Sequence, residues 1–205
     1  MRRRCSYDVE RCDILAATMN EELPAIIKET YSVAEQAEAD FGHLNAEQLN
    51  WKPSADQWSV AQCFDHLIMT NSGYFPLVEE ITAGGYRPSL KERLPLLPRF
   101  FGSVVLNAVQ PEAKRKFKAV ADFQPASSAI GGDIISKFKA HQEDVVNHMR
   151  LTEGLDLRKV IITSPVASFM TYSLLDAYKI LVAHERRHMA QAKRVTQSQG
   201  FPNKS

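Results

Sequence analysis

Residues 177–195 read AYKILVAHERRHMAQAKRV, and this stretch decides the fold that the sequence predicts. Residues four apart lie on one face of an α-helix with Cβ atoms roughly 5–6 Å apart, so two imidazoles at that spacing can bind one ion. His184 and His188 have this spacing. At 100° per residue their stripe is mainly apolar or small, and it includes Met170, Ser173, Ala177, Ile180, Leu181, Gln191 and Val195. We predict a long helix whose histidines face the interior.

A histidine pair that faces the interior has two interpretations. A buried imidazole must find partners for its nitrogens, and a divalent cation would satisfy one nitrogen of each ring. Alternatively, the two histidines are separately hydrogen-bonded in the core, or the pair reaches solvent at the helix end. The spacing alone leaves both interpretations open.

Length and composition predict one globular domain over residues 1–205. Hydrophobic residues make up 44% of the chain and charged residues 24%, as in ordinary globular proteins. The net charge of +1 gives no electrostatic reason to expect nucleic acid as a partner. No uninterrupted apolar run is long enough for a membrane span, and no apolar segment follows the basic start as it would in a signal peptide. Three cysteines fit a reducing cytoplasm, so we expect a cytoplasmic protein.

The hydrophobic periodicity predicts an all-α fold, a four-helix bundle. The four long helices are expected at about residues 9–40, 59–82, 128–151 and 168–199, and no strand-like alternation is longer than a few residues. Ser59 is a good N-cap for the second helix, and the core side of the third is expected to consist of Ile134, Phe138, Val145 and Met149. Residues 86–128 form an irregular, partly helical insertion, in which residues 94–109 could pack as a covering helix.

His66 on the second predicted helix is the natural third partner for the histidine pair. Helical bundles build metal sites from side chains that project inward from facing helices. Three histidines leave one tetrahedral position open, as catalytic zinc sites do. Cys63 lies one turn before His66 and could close that position as a fourth ligand, although a core-facing cysteine on a helix is more often a small hydrophobic residue.

Two motifs carry a family resemblance: WSVAQCFDHL at residues 58–67 and HERRHMAQ at residues 184–191. Together with LNWKP at residues 49–53 and TYSLLDA at residues 171–177, they resemble the DinB/YfiT-like superfamily of four-helix metalloproteins. The resemblance implies that His66, His184 and His188 bind a divalent metal ion, commonly zinc or nickel. The long proline-containing insertion departs from the family pattern.

The resemblance also implies two enzymatic activities, and the residues leave a non-enzymatic class open beside them. Similar proteins include transferases and isomerases that use low-molecular-weight thiols, and others described as metal-dependent hydrolases. We therefore expect a small-molecule substrate, entering between the helices beneath the insertion. The second class is a non-enzymatic bundle with a structural metal or a ligand-binding pocket. Homodimers are common in the family, so a homodimer is plausible here.

Four further residues are candidates for supporting roles around the histidines. Asp65 and Glu185 each adjoin a histidine but point about 100° away around their helices, which predicts outer-sphere or surface roles. Gln191 lies near the histidine face and could orient a ring or a bound molecule, or it could be a buried polar residue bonded to backbone. Cys63 is the fourth candidate, and no general base is identified.

Overall fold

The computed structural model describes residues 22–93, 97–110, 124–125 and 129–202. The helices in that part are α1 (Leu23–Phe41), α2 (Ala46–Asn50), α3 (Val60–Ser72), α4 (Phe75–Thr82), α5 (Leu97–Ala108), α6 (Ile134–Leu151) and α7 (Leu174–Thr196), and the strands are β1 (Ile161–Ser164) and β2 (Ala167–Ser173). The protein is therefore mainly helical, which confirms the predicted class apart from one small sheet.

Helices α1, α3, α6 and α7 pack around one core. Helix α1 packs against α6 and α7, and α3 packs against the same two helices, so the contacts run around a ring. Phe64 of α3 is fully buried, and its ring centroid lies 5.4 Å from that of Phe41 and 4.9 Å from that of Phe138. Such edge-to-face pairs contribute about 0.5–1.5 kcal/mol each beyond the burial of apolar area. Phe64 thus links α1 and α6 to the helix that carries His66.

The first predicted helix is confirmed from Leu23 onward, while residues 9–21 lie outside the described part of the chain. Pro24 occupies the first turn of α1. A helix leaves its first amide groups without intrahelical partners, so a proline there removes no hydrogen bond.

The prediction of one continuous helix over residues 59–82 is wrong. Helix α3 ends at Ser72, and α4 begins at Phe75. Pro76 has no amide to donate to the carbonyl of Ser72, and its ring would collide with that carbonyl in a continuous helix. The proline therefore divides the predicted helix, and its start at the Ser59 cap is confirmed.

The third helix begins later than predicted, at Ile134 rather than near residue 128. Position 128 itself lies outside the described residues, and Gly131 and Gly132 precede the helix. Glycine loses the most backbone entropy in a helix, so this pair disfavours an earlier start. The predicted core side is confirmed, because its four residues are at most 3% exposed: Ile134, Phe138, Val145 and Met149.

The all-α prediction did not include one short element, because residues 161–173 form a hairpin. Strands β1 and β2 pair antiparallel, with Ile162 opposite Tyr172 and an irregularity between Thr163 and Ser164. β-Branched and aromatic residues favour strands, but four paired residues are too few to produce a clear alternation in the sequence. Helix α7 therefore starts at Leu174 instead of near residue 168, and it ends at Thr196. Two residues assigned to the histidine stripe, Met170 and Ser173, lie in β2 instead.

Helix α5 is the covering helix that the sequence suggested for the insertion. It packs on β2 and α7. At Gly102 a Cβ would lie 2.8 Å from Oδ2 of Asp176, so only glycine allows this close approach without a shift. Within the described ranges, no helix is long and apolar enough to cross a membrane.

Candidate metal centre

Three imidazoles from α3 and α7 meet between these two helices. Nε2 of His184 lies 3.3 Å from Nε2 of His66 and 3.1 Å from Nε2 of His188. In the described part of the chain, these three histidines form a group that could hold a metal ion, because one ligand atom of each residue lies within 4.8 Å of those of the others. The structure therefore brings together the three histidines that the sequence singled out.

N-terminal caps determine where the two histidine-bearing helices begin, and therefore where the histidines lie along them. The Ser59 side chain accepts from the amide of Gln62 at 3.1 Å, and the Gln62 side chain accepts from the amide of Ser59 at 3.2 Å. This capping box starts α3 two turns before His66. Ser173 caps α7 by accepting from the amide of Asp176 at 3.1 Å. Both ligand-bearing helices thus begin at defined residues.

Hydrogen bonds alone do not account for the arrangement of the three rings. One imidazole nitrogen either donates a proton or accepts one, but Nε2 of His184 approaches two other ring nitrogens. A tetrahedral ion with bonds of 2.0–2.1 Å places its ligand nitrogens about 3.3–3.4 Å apart, close to the two separations observed. The cluster is therefore compatible with a divalent metal ion.

The protonation state of the cluster also suits a metal. Burial, together with the charges of His66 and Arg187, lowers the pKa of His184 to about 3. Burial likewise lowers the pKa of His188 well below its ordinary value, with contributions from His184, His66 and Arg187. These two rings are therefore neutral at neutral pH, which is the form that binds metals.

The indole of Trp58 borders the cluster. Its ring centroid lies 5.5 Å from that of His188 with the planes 17° apart, and 5.0 Å from that of His66. The sequence placed Trp58 at the start of the motif of residues 58–67 but did not identify it as a neighbour of the histidines. Its place directly before the Ser59 cap was the available indication.

Glu185 lies in the core and outside the cluster, so of the two roles predicted for it the surface role does not apply. Glu185 is fully buried, with 0% of its surface exposed. Its Oε1 accepts hydrogen bonds from Nδ2 of Asn71 at 2.7 Å and from Nε2 of Gln142 at 2.9 Å. Burial raises its pKa to about 7, although these two hydrogen bonds and Arg186 act in the opposite direction. Neither amide residue was identified from the sequence, because the pairing joins three separate helices.

The other three supporting candidates lie at different depths. Cys63 is fully buried, burial raises the pKa of its thiol to about 12, and its sulfur does not belong to the histidine cluster. Asp65 is half-buried on α3. Gln191 is half-buried one turn beyond His188, and its side chain acts on the pKa of the His188 ring in the opposite direction to burial. Nδ1 of His188 makes no hydrogen bond with any described residue.

Two histidines of α6 lie outside the cluster. Nδ1 of His148 lies 2.7 Å from the carbonyl oxygen of Asp144, and its ring stacks on Phe75 with centroids 4.0 Å apart. His141 is buried against the same phenylalanine, with centroids 5.2 Å apart. Both histidines therefore serve the packing of α4 on α6.

The fold and the cluster define a class of helical proteins with three histidines converging from two helices. The sequence profile described as the DinB superfamily matches residues 29–192, and the chain belongs to this superfamily. It is similar to the uncharacterized protein YuaE of Bacillus subtilis (strain 168), with 25% identity over 158 residues that cover 74% of this chain and 85% of that protein. No solved structure matches the chain significantly.

Proposed function

We propose that the protein is a metal-dependent enzyme that binds zinc or nickel through His66, His184 and His188. The observation that carries the proposal is the approach of Nε2 of His184 to both other Nε2 atoms, at 3.3 and 3.1 Å. Membership of the DinB superfamily supports it. The three side chains would hold the ion, and a neutral three-histidine set leaves a position for a substrate atom.

The proposed reaction is either hydrolysis or transfer of a low-molecular-weight thiol to a small-molecule substrate. A divalent ion at this site would act as a Lewis acid and would deprotonate a bound thiol or water. No carboxylate of the described residues belongs to the histidine cluster. A metal-bound thiol needs no side-chain base, so the thiol transferase is the reaction that the three histidines could support with the fewest further groups.

The alternative is a non-enzymatic bundle in which the ion is structural. A closed structural site would need a fourth protein ligand, and Cys63 is the candidate that the sequence offers. Its buried, neutral thiol lies outside the cluster, which favours an open site.

Metal content tests the proposed site. We expect near-stoichiometric metal by mass spectrometry in the untagged protein, and loss of that metal in folded His66→Ala, His184→Ala and His188→Ala. The matched control is His43→Ala, because His43 is an exposed histidine of the loop after α1 and should not affect the metal. A parent protein that takes up neither zinc nor nickel would contradict the proposal.

Chelation then separates the enzyme from the structural alternative. An enzyme should stay folded by circular dichroism after the metal is removed, and it should regain turnover of small thiols or hydrolysable substrates when metal returns. A structural ion should exchange slowly, and its removal should unfold the chain. The cytoplasmic location remains a prediction from the sequence, and the homodimer one from the family resemblance. Light scattering tests the homodimer.

A further inference from the structure

Trp58 contacts two of the three histidines, and these two come from different helices. Its indole stacks on the imidazole of His188 from α7, with an interplanar angle of 17°, and lies at a tilt of 58° to the ring of His66 from α3. It is only partly buried and packs against the core from the loop side. One side chain thus covers the edge of the cluster and touches rings on both ligand-bearing helices.

The capping box holds Trp58 in this place. Trp58 directly precedes the N-cap Ser59, which is 1% exposed and exchanges two hydrogen bonds with Gln62. The cap defines the direction in which the chain enters the helix, so it also defines where the preceding side chain lies. The position of the indole is therefore built into the start of α3.

The imidazole of His188 requires a contact that fixes its orientation if it is to bind a metal ion. Metal-binding histidines usually donate their second ring nitrogen to an oxygen, and this hydrogen bond fixes the ring orientation. Nδ1 of His188 is buried and makes no hydrogen bond with a described residue. The stacked indole restricts rotation of this imidazole from the side, so packing can supply the restraint that the hydrogen bond supplies elsewhere.

We propose that Trp58 is a positioning residue of the metal centre, which orients the imidazoles of His66 and His188 through ring contacts. The inference rests on the proposed function, since it requires that these histidines bind metal. Although Trp58 is not a ligand, its replacement should therefore weaken metal binding. Replacement of a tryptophan that only stabilises the fold should not.

Metal affinity tests the inference, because packing alone would change stability without changing affinity. We expect Trp58→Leu, which keeps apolar bulk but removes the ring, to raise the dissociation constant for zinc about 10-fold, the lower end for loss of an outer contact to a ligand. Trp58→Phe should restore part of the affinity because it keeps an aromatic ring. The dissociation constants are measured by competition with a chelating indicator, with circular dichroism and thermal unfolding of the metal-free proteins.

Trp51 provides the matched control. It is the other of the two tryptophans in the chain, it is also partly buried in the loop before α3, and its ring packs on Phe201 with centroids 5.5 Å apart. Trp51→Leu should lower the stability of the metal-free protein and leave the zinc dissociation constant unchanged. Equal zinc affinity in the parent, Trp58→Leu and Trp51→Leu would overturn the inference and leave the proposed function intact.

Fluorescence gives a second readout of the same contact. In Trp51→Phe the remaining indole is Trp58, and we expect nickel, which quenches indole emission, to quench it in proportion to metal bound. In Trp58→Phe the remaining indole is Trp51, and its emission should change little. Saturable quenching confined to Trp51 would contradict the inference. A parent protein that binds neither metal would overturn the proposed function, and this inference with it.

Discussion

Glu185 follows His184 in the sequence but points away from the histidine cluster. Its Oε1 joins Asn71 of α3 and Gln142 of α6, so one side chain of α7 bonds to both neighbouring helices. Among the described residues, Oε2 of Glu185 and the amide oxygens of Asn71 and Gln142 have no hydrogen-bond partner. Burial makes the protonated carboxyl group more stable than the carboxylate, in accord with the raised pKa of Glu185.

This residue gives a pH-dependent prediction for Glu185→Gln in the metal-free protein. The pKa of Glu185 is about 7 in the folded state against an ordinary value of 4.5, so the folded state holds the proton more tightly. The parent protein therefore loses stability as the pH rises through this interval, and a glutamine does not. Between pH 4.5 and pH 8, we expect the free energy of unfolding of the parent to fall by on the order of 3 kcal/mol relative to that of the variant.

Urea denaturation at several pH values measures this difference. Glu35→Gln is the control, because Glu35 is an exposed residue of α1 and its replacement should shift stability without a strong dependence on pH. A difference between parent and Glu185→Gln that stays constant from pH 5 to pH 8 would show that Glu185 is ionised throughout.

Helix α3 carries both His66 and the start that determines its position. The capping box between Ser59 and Gln62 satisfies two amides that would otherwise be buried without partners, since Ser59 is 1% and Gln62 is 8% exposed. The cap therefore determines both where α3 begins and where His66 lies along it.

We predict that Ser59→Ala destabilises the metal-free protein by about 1 kcal/mol, the usual cost of losing an N-cap side chain. The measurement is the midpoint and slope of a urea unfolding curve. Ser72→Ala is the matched control at the other end of the helix, because Ser72 only donates to the carbonyl of Ile68 at 2.7 Å. Equal effects of the two substitutions would mean that the cap contributes nothing specific.

At the scale of the whole molecule, residues 86–110 of the insertion are attached to the rest of the chain near both ends of that stretch. Glu92 is 7% exposed and accepts from Tyr86 at 2.7 Å and from Thr163 of β1 at 2.6 Å. At the other end, Nη1 of Arg187 donates to the carbonyls of Ala108 and Gln110 at 3.2 and 3.1 Å. Because Arg187 lies between the histidines of α7 in sequence, the end of α5 is held beside the metal centre.

We therefore expect Arg187→Ala to loosen the end of α5. Two hydrogen bonds from a charged donor are lost at a half-buried position, so amide hydrogen exchange in residues 105–110 should accelerate on the order of fivefold, for a loss of roughly 1 kcal/mol. Arg186→Ala is the control, since Arg186 is exposed and faces Glu29 at 3.6 Å. Unchanged exchange in Arg187→Ala would show that α5 is held by its apolar contacts alone.

Several features of the fold and the site could be predicted from local sequence. Ser59 and the apolar periodicity after it predict where α3 begins, and the spacing of His184 and His188 predicts that both lie on one face of α7. These inferences succeed because helix period, capping and four-residue spacing depend on neighbours within one or two turns. The division at Pro76 follows the same local physics, and giving that proline more weight would have predicted it.

The remaining features depend on residues far apart in the chain. The hairpin pairs residues 161–164 with residues 167–173 too briefly for periodicity to reveal it, and its second strand packs against α5, which is distant in the sequence. The sequence by itself determined the helical class, the start of α3 and the three histidines. Only the tertiary structure decided that Glu185 turns toward Asn71 and Gln142 and that Trp58 stacks on His188, because such contacts form only when separate helices pack.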